Sequence, residues 1–449
     1  MIEFILDVWR SNPGGDAIVW RDRAYDYATL LRLFEGWKAR LPEFGAKPGS
    51  VVVLDADFSP NAVALFFALI EQRCILVPLS TTTSRNKRAQ FSRIAAGEVA
   101  VSIDASDDVT SSPAGDNGEK PLYETLRARQ HPGLVLFSSG STGESKAAVH
   151  DLVPLLEKFK VRRKTLRAIS FLLYDHIGGV NTMLYTLANG GCLVTVERRD
   201  PDSVLAAVAA HRVELLPTSP TFLNLMLLSE AYKRHDLSSL RIITYGTEPM
   251  PEHTLKRLHE LLPEIALQQT YGLSELGILQ SKSREPDSLW VKVGGQGFET
   301  RVVDGVLHVK ARSSMLGYLN APSPFTDDGW FNTNDVVEVD GEYVRILGRK
   351  SDIINVGGEK VYPAEVESVI QELDEIAEAT VYGEKNAITG NIVCADVTAA
   401  SQLDGSSQKE LIALVKRHCR EKLQKFKVPV RVNVVSEQQH TERFKKSRR

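Results

Sequence analysis

The chain has little of what marks secreted, membrane-spanning or nucleic-acid-binding proteins. Its 449 residues include four cysteines, Cys74, Cys192, Cys394 and Cys419, far apart and without a Cys-x-x-Cys pair. That spacing offers neither a disulfide framework nor a thiolate metal site, and two of the four stand in apolar, strand-like runs, so reduced and buried thiols are expected. No apolar run reaches the length of a membrane span. The start, MIEFILDVWR, carries Glu3 and Asp7 and lacks a basic stretch before an apolar core, so it does not read as a signal peptide. Charge of one sign is missing too: 54 Lys and Arg against 57 Asp and Glu leave a net charge of −3, no reason to expect nucleic acid. Together these absences predict a cytoplasmic protein. Hydrophobic residues at 43% and charged residues at 25% suit a globular enzyme or binding protein. The length implies two or three packed units.

Apolar runs of four to seven residues alternate with helical patterns. SVVVLDA (residues 50–56) precedes NAVALFFALIEQR (61–73), and CLVTV (192–196), ELLPTS (214–219) and RIITY (241–245) are separated by helix-like stretches. This alternation predicts a layered α/β architecture. The polar, turn-rich stretch VTSSPAGDNGEKP (109–121) reads as a mobile loop. A boundary is expected near Arg349, where two glycines lead into a helix beginning near Pro363, with Val366, Val369, Ile370 and Leu373 on one face. A strand pair (379–383 and 391–398), a helix (about 408–423) and a last strand in VPVRVNVV would complete a small α+β domain. The expected organisation is a large N-terminal domain over residues 1–348, a small mobile C-terminal domain over 349–449, and a hinge near 349–352.

The most informative stretch is GLVLFSSGSTGESKAAVH (133–150), in which a strand-like apolar run ends in hydroxyls and glycines and then a lysine. Ser138, Ser139, Ser141 and Thr142 supply donors and oxygen for Mg²⁺, Gly140 and Gly143 let backbone N–H groups approach an anion, and Lys146 adds positive charge. The spacing departs from the nucleotide-kinase loop, which ends in Gly-Lys-Ser/Thr. A Gly/Ser surface turn after a strand is the alternative reading.

Four segments in order resemble the adenylate-forming superfamily of acyl-CoA synthetases, luciferases and peptide-synthetase adenylation domains, closest to AMP-forming acyl- or aryl-CoA ligases. They are SSGSTGESK (138–146), YGLSE (271–275), GYLNAPSPFTDDGWFNTND (317–335) and LGRKSDIINVGGEKVYPAEVE (347–367). The resemblance implies ATP, Mg²⁺ and coenzyme A, or a carrier-protein phosphopantetheine, as cofactors and acceptors. It puts the β- and γ-phosphates on the loop from Ser138 to Lys146, with Thr142 as its central hydroxyl. Glu275 matches the Mg²⁺ ligand, a hard oxygen donor for a hard cation, and Thr142 would share that metal. Tyr271, with Gly272 and Ser274 in the same signature, would lie against adenine, alongside Gly246, Thr247 and Glu248. Asp335 would take the ribose hydroxyls and Arg349 would reach ribose or phosphate. Ser351 stands at the hinge position, and Gly357 and Gly358 resemble the glycines beside the thiol tunnel.

This chain departs from the family pattern at Ser145, where proline is usual, and at Ala147 and Asn334, where glycine is usual. The C-terminal pattern, usually ending Gly-Lys, reads TERFK (441–445), with Phe444 for the glycine. Lys445 aligns with the lysine that offsets charge on the α-phosphate, and Lys446 is the alternative. FLLYDHIGGVNTM (171–183) resembles the family's His-x-x-Gly stretch, with His176 lining an acyl or aryl pocket; Asp175 is the competing feature, since an aspartate there would hold an amino acid's ammonium. Gly179, Ser219, Thr221 and Tyr245 are further pocket candidates by analogy.

The implied reaction joins a small carboxylic acid to AMP with loss of pyrophosphate, then transfers the acyl group to a thiol. Alternatives are a stand-alone enzyme loading an acyl carrier protein and, from another class, a nucleotide-binding protein that no longer catalyses.

Overall fold

In the computed structural model, which describes residues 1–115, 118–138, 145–401 and 405–436, the longest apolar runs form the centres of two sheets. The first has seven strands among the described residues, in the order Gly317–Tyr318, Lys146–Asp151, Gly133–Ser138, Ile75–Leu79, Val51–Asp55, Val99–Ile103 and Val109–Pro113. Its central strands are parallel and almost wholly apolar, as strands covered on both faces must be. The helix Pro60–Glu71 packs into this core; Ser59 caps it by accepting the Ala62 N–H, and Pro60 occupies its first turn.

The second sheet also has seven strands, ordered Ala266–Gln269, Ile242–Tyr245, Leu215–Thr218, Arg167–Ile169, Cys192–Val194, Asp16–Trp20 and Arg23–Asp26. The pairings from Ala266–Gln269 through to Asp16–Trp20 are parallel, so the carboxyl ends of Ile242–Tyr245 and Ala266–Gln269 open on one edge. Ligands bind outside such carboxyl ends in open α/β sheets. A six-stranded antiparallel sheet follows and includes Phe331–Asp340 beside Tyr343–Arg349.

Beyond Arg349 the chain builds a separate apolar cluster around Val366, Ile370, Val381, Val415 and Cys419. Its five strands, Ile354–Val356, Glu359–Val361, Ile376–Asn386, Gly390–Ala399 and Arg431–Val434, carry the helices Pro363–Ile370 and Gly405–Lys422 on the same core. The architecture is therefore mixed α/β, with a large N-terminal part and a small C-terminal one. All four cysteines are free and buried. Among the described residues no helix is long and apolar enough to cross a membrane.

One expectation needs correction. The stretch from residue 109, read as a loop, begins with the edge strand Val109–Pro113, antiparallel to Val99–Ile103. Its Thr, Ser and Pro residues are tolerated because an edge strand faces solvent and leaves half its backbone groups unpaired in the sheet.

The helix Ile177–Ala188 lies so close to the preceding loop that a Cβ on Gly179 would sit 2.0 Å from the Leu173 carbonyl oxygen and 2.7 Å from that of Leu172. The obstacle is backbone, so relief requires moving the helix start. We expect G179A to lose on the order of 3 kcal/mol or more of stability in urea unfolding; an unchanged midpoint would refute this close-approach account.

Candidate active site

Two cavities meet at the carboxyl edge of the second sheet. The first, of about 180 Å³, is lined by Gly246, Thr247, Tyr271, Asp335 and Arg349, and from the C-terminal part by Asp352, Pro363 and Ala364. The second, of about 170 Å³, is lined by Ser138, Leu172, His176, Ile177, Pro217 and Glu275 among others. Gly246, Thr247, Thr270, Gly272, Leu273 and Arg349 belong to both. Strand ends explain this convergence: Gly246 directly follows Ile242–Tyr245, and Thr270 follows Ala266–Gln269. A Cβ on Gly246 would stand 2.7 Å from both the carbonyl and hydroxyl oxygens of Thr270, so only glycine fits between the strands there. Thr247 follows at φ +74°, a left-handed backbone that a β-branched side chain rarely adopts and that marks local strain in the wall shared by the cavities.

In the first cavity Asp335 is buried with both oxygens engaged. Arg349 Nε lies 2.8 Å from Oδ1, and the Tyr271 hydroxyl donates to Oδ2 at 2.5 Å. Strand register brings the pair together, because Asp335 stands directly opposite Arg349. Burial pushes the Asp335 carboxyl above the usual carboxylate range, while the guanidinium and the tyrosine hydroxyl oppose that shift. Burial first, then the neighbouring Asp335 charge, holds the Tyr271 phenol well above its ordinary value, so it stays a donor. Asn334, at the usual glycine position, has φ +58°, and asparagine is among the few residues that accept that conformation. The departure thus keeps a conformation that glycine would also adopt.

In the second cavity His176 caps the helix Ile177–Ala188: its Nδ1 accepts the Gly178 N–H at 3.0 Å. A neutral ring therefore carries its proton on Nε2. Asp175 is buried and lines neither cavity. The other pocket candidates have structural positions. Ser219 caps the helix Pro220–Leu228, Tyr245 is buried, and Thr221 donates its N–H and hydroxyl to Glu248 Oε1. The Glu248 side chain is thereby held at that helix start.

The segment 271–278 links the cavities and is tied by nearly every carbonyl. His150 Nε2 donates to the Ser274 oxygen (2.5 Å), the Met315 N–H to that of Glu275 (2.8 Å), the Ser313 hydroxyl to that of Leu276 (2.9 Å) and Lys158 Nζ to that of Ile278 (3.0 Å). Lys158 also reaches Asn181 Oδ1 at 2.6 Å, joining this segment to the helix Ile177–Ala188. Burial, aided by the Arg163 charge, brings the Lys158 ammonium down to about 7, and burial lowers the pKa of His150. Sequence reasoning missed both residues, since an isolated His or Lys in an apolar context carries no local signal of which carbonyl it meets.

The loop singled out in the sequence starts from Gly133–Ser138 and returns as the antiparallel strand Lys146–Asp151, with Ser138 opposite Lys146. It connects two strands, unlike the strand-to-helix nucleotide-kinase loop. Ser139, Gly140, Ser141, Thr142 and Gly143 lie outside the described residues, as do Phe444, Lys445 and Lys446. Gly357 and Gly358 form the exposed turn between Ile354–Val356 and Glu359–Val361 and line neither cavity.

Comparison with known proteins defines the class. Residues 7–318 match the AMP-binding enzyme family and residues 365–445 match the AMP-binding enzyme C-terminal domain, so the chain belongs to that family. Among its relatives, the indoleacetate–CoA ligase of Aromatoleum aromaticum is 27% identical, with 86% of this chain and 85% of the relative covered. The 2-succinylbenzoate–CoA ligase of Bacillus pumilus is 26% identical, with 95% and 92% covered. The fold matches the crystal structure of an anthranilate CoA ligase in complex with anthranoyl-AMP, with a TM-score of 0.83 at 20% identity and 98% and 95% coverage. These similarities bear out the class read from the residues, an enzyme akin to AMP-forming CoA ligases.

Two outcomes test the local geometry. N334A should cost about 1 kcal/mol in chemical unfolding and N334G close to nothing, because only the alanine strains at positive φ; equal losses would contradict this. For Lys158, the unfolded chain binds more protons than the folded protein between about pH 7 and the unfolded lysine's value of about 10.4, so this group adds stability as pH rises through that window. The melting temperature of the wild type should therefore gain on that of K158M between pH 7 and 9. A constant gap would show that Lys158 is not titrating there.

Proposed function

We propose that this AMP-binding enzyme is an acid–thiol ligase that joins a compact acyl or aryl carboxylic acid to AMP and then to coenzyme A. The observation that carries the reading is the shared wall of the two cavities, so that a nucleotide bound against Tyr271, Asp335 and Arg349 would have its α-phosphate beside an acid lying against His176. In the first half-reaction a carboxylate oxygen attacks the α-phosphorus, the bond to the bridging oxygen breaks, and pyrophosphate leaves. In the second, a thiol adds to the acyl carbon and AMP departs. Asp335 holds the ribose, Arg349 spans ribose and phosphate, and the His176 Nε2–H donates to oxygen on the acid or phosphate. Carboxylate and triphosphate repel each other, so charge compensation governs the first step. Lys445 is proposed to supply part of it at the α-phosphate, the chain dividing near residue 349 with 349–352 as the hinge.

The residues fit Mg²⁺. Glu275 offers a single carboxylate beside Ser138, and among the described residues no group of three or more His, Cys, Asp or Glu side chains forms a cage for a cation. One carboxylate plus substrate phosphates and water is the usual environment of this ion. Glu275 and Thr142 would hold it, and when bound it offsets triphosphate charge.

The acid cavity limits the substrate. Leu172, Ile177, Pro217 and Ile278 make its apolar walls, and Glu275 and Arg349 lie at the phosphate end. A cavity of about 150 Å³ accommodates a benzene ring, so a space of about 170 Å³ that also includes the phosphate end suits nothing larger than a ring or short branched acid. Asp175 lines neither cavity, which favours His176 over an ammonium site. The named relatives act on indoleacetate and 2-succinylbenzoate, in keeping with ring-bearing acids.

Pyrophosphate release from Mg·ATP across a panel of aryl, short-chain, long-chain and amino acids, with and without coenzyme A, tests the proposal. We expect release with aryl or short acids and a thioester when coenzyme A is present, and H176A should slow release by about 100-fold. Release without a thioester would transfer the acceptor role to an acyl carrier protein; preference for amino acids would overturn the His176 assignment; silence across the panel would favour a non-catalytic nucleotide-binding protein.

A further inference from the structure

The segment 315–320 is not explained by the roles above, yet it touches both the carboxylate and the lysine of the phosphate end. Its strand Gly317–Tyr318 pairs with Lys146–Asp151, and the Leu316 and Leu319 N–H groups donate to the Val149 and Ala147 carbonyls. Asn320 completes the seam: its Oδ1 accepts the Ala147 N–H at 3.0 Å and its Nδ2 donates to the Ser145 carbonyl at 2.9 Å. The return of the hydroxyl-rich loop is thereby clamped through residues 145–149.

From this strand the Tyr318 hydroxyl donates to Glu275 Oε1 at 2.6 Å, while Lys146 Nζ lies 5.5 Å from the centre of the Tyr318 ring. The Met315 N–H holds the Glu275 carbonyl at 2.8 Å, so both main chain and side chain of that glutamate are set by one short segment. Lys146 and Glu275 are opposite charges beside the same ring, the ammonium over its face and the carboxylate on its hydroxyl, and among the described residues no ion pair joins them. An ion pair between them would neutralise the two charges that a triphosphate and its cation need. A phenol prevents this with a neutral donor for the carboxylate and a π face for the ammonium.

We infer that Tyr318 is a positioning residue for the metal–triphosphate end: its hydroxyl aims the Glu275 carboxylate, and its ring keeps Lys146 apart from that carboxylate and available to phosphate. The inference rests on the proposed roles of Glu275 and Lys146, and the experiment separates failure of those roles from failure of Tyr318.

Binding of a fluorescent ATP analogue (mant-ATP) is titrated with Mg²⁺ in wild type, E275Q, Y318F and Y318L, without acid or thiol, so no turnover is required; melting temperatures check each fold. Mg²⁺ should tighten binding to the wild type. E275Q should abolish that tightening. Y318F, which keeps the ring, should raise the Mg²⁺ midpoint about three- to tenfold and leave affinity in EDTA unchanged. Y318L should shift the midpoint likewise and also weaken mant-ATP in EDTA, because Lys146 is released to pair with Glu275. A wild-type midpoint in both Tyr318 variants, with E275Q impaired, would overturn the inference alone. An unchanged response in E275Q would overturn the metal role of Glu275 and the inference with it. Either Tyr318 variant that folds decides the Mg²⁺ arm.

Discussion

The buried carboxylate of Asp335 is the constraint around which the first cavity of this protein is arranged. An ionised carboxylate away from water is costly unless opposite charge and hydrogen-bond donors surround it. Arg349 and Tyr271 meet that requirement from two different elements, the end of the strand Tyr343–Arg349 and the segment leaving the second sheet. The same three groups therefore hold the antiparallel sheet against the parallel one and line the cavity between them. Because Arg349 immediately precedes the C-terminal part, the charge pair also stands where the chain passes from one core to the other.

The second organising feature is how firmly the segment 271–278 is held. Side chains from His150, Lys158 and Ser313 and a backbone N–H from Met315 hold four of its carbonyls. Two of the side chains are ionisable and largely shut off from water, with their pKa values lowered by burial. Such a framework leaves Tyr271 and Glu275 little conformational freedom, and preorganised groups act at a reacting centre without reorganising during the step. Strain at Thr247, on the facing wall, belongs to the same economy of fixed geometry.

Much of the fold was legible because period and composition carry it. Runs such as VVVLD and ILVPL have no plausible place but a covered parallel strand. Pro363 announced the start of its helix, and Val366 and Ile370 face the core as their spacing requires. The polar edge strand Val109–Pro113 was not legible, since its pairing with Val99–Ile103 depends on the turn between them and on solvent at its free edge. Within the site, Asp335, Arg349 and Tyr271 could be read from an ordered resemblance. Their convergence could not, because the contact spans more than sixty residues of separation between Tyr271 and Asp335.

By itself the sequence determined the family, the alternation of its longest apolar strands with helices, and the residue types gathered at the candidate site, because short-range pattern and ordered motifs encode these. Tertiary structure decided the rest. It made Asn334 a workable substitute for glycine by giving it positive φ, gave His176 a capping bond that selects its tautomer, and buried Asp175 outside the lining of both cavities. It also brought Tyr318, His150 and Lys158 to a segment remote from them in the chain. The physical reason is common to all of these: hydrogen bonds and burial act through distances of a few ångströms, and such distances between remote residues exist only once the sheets have packed.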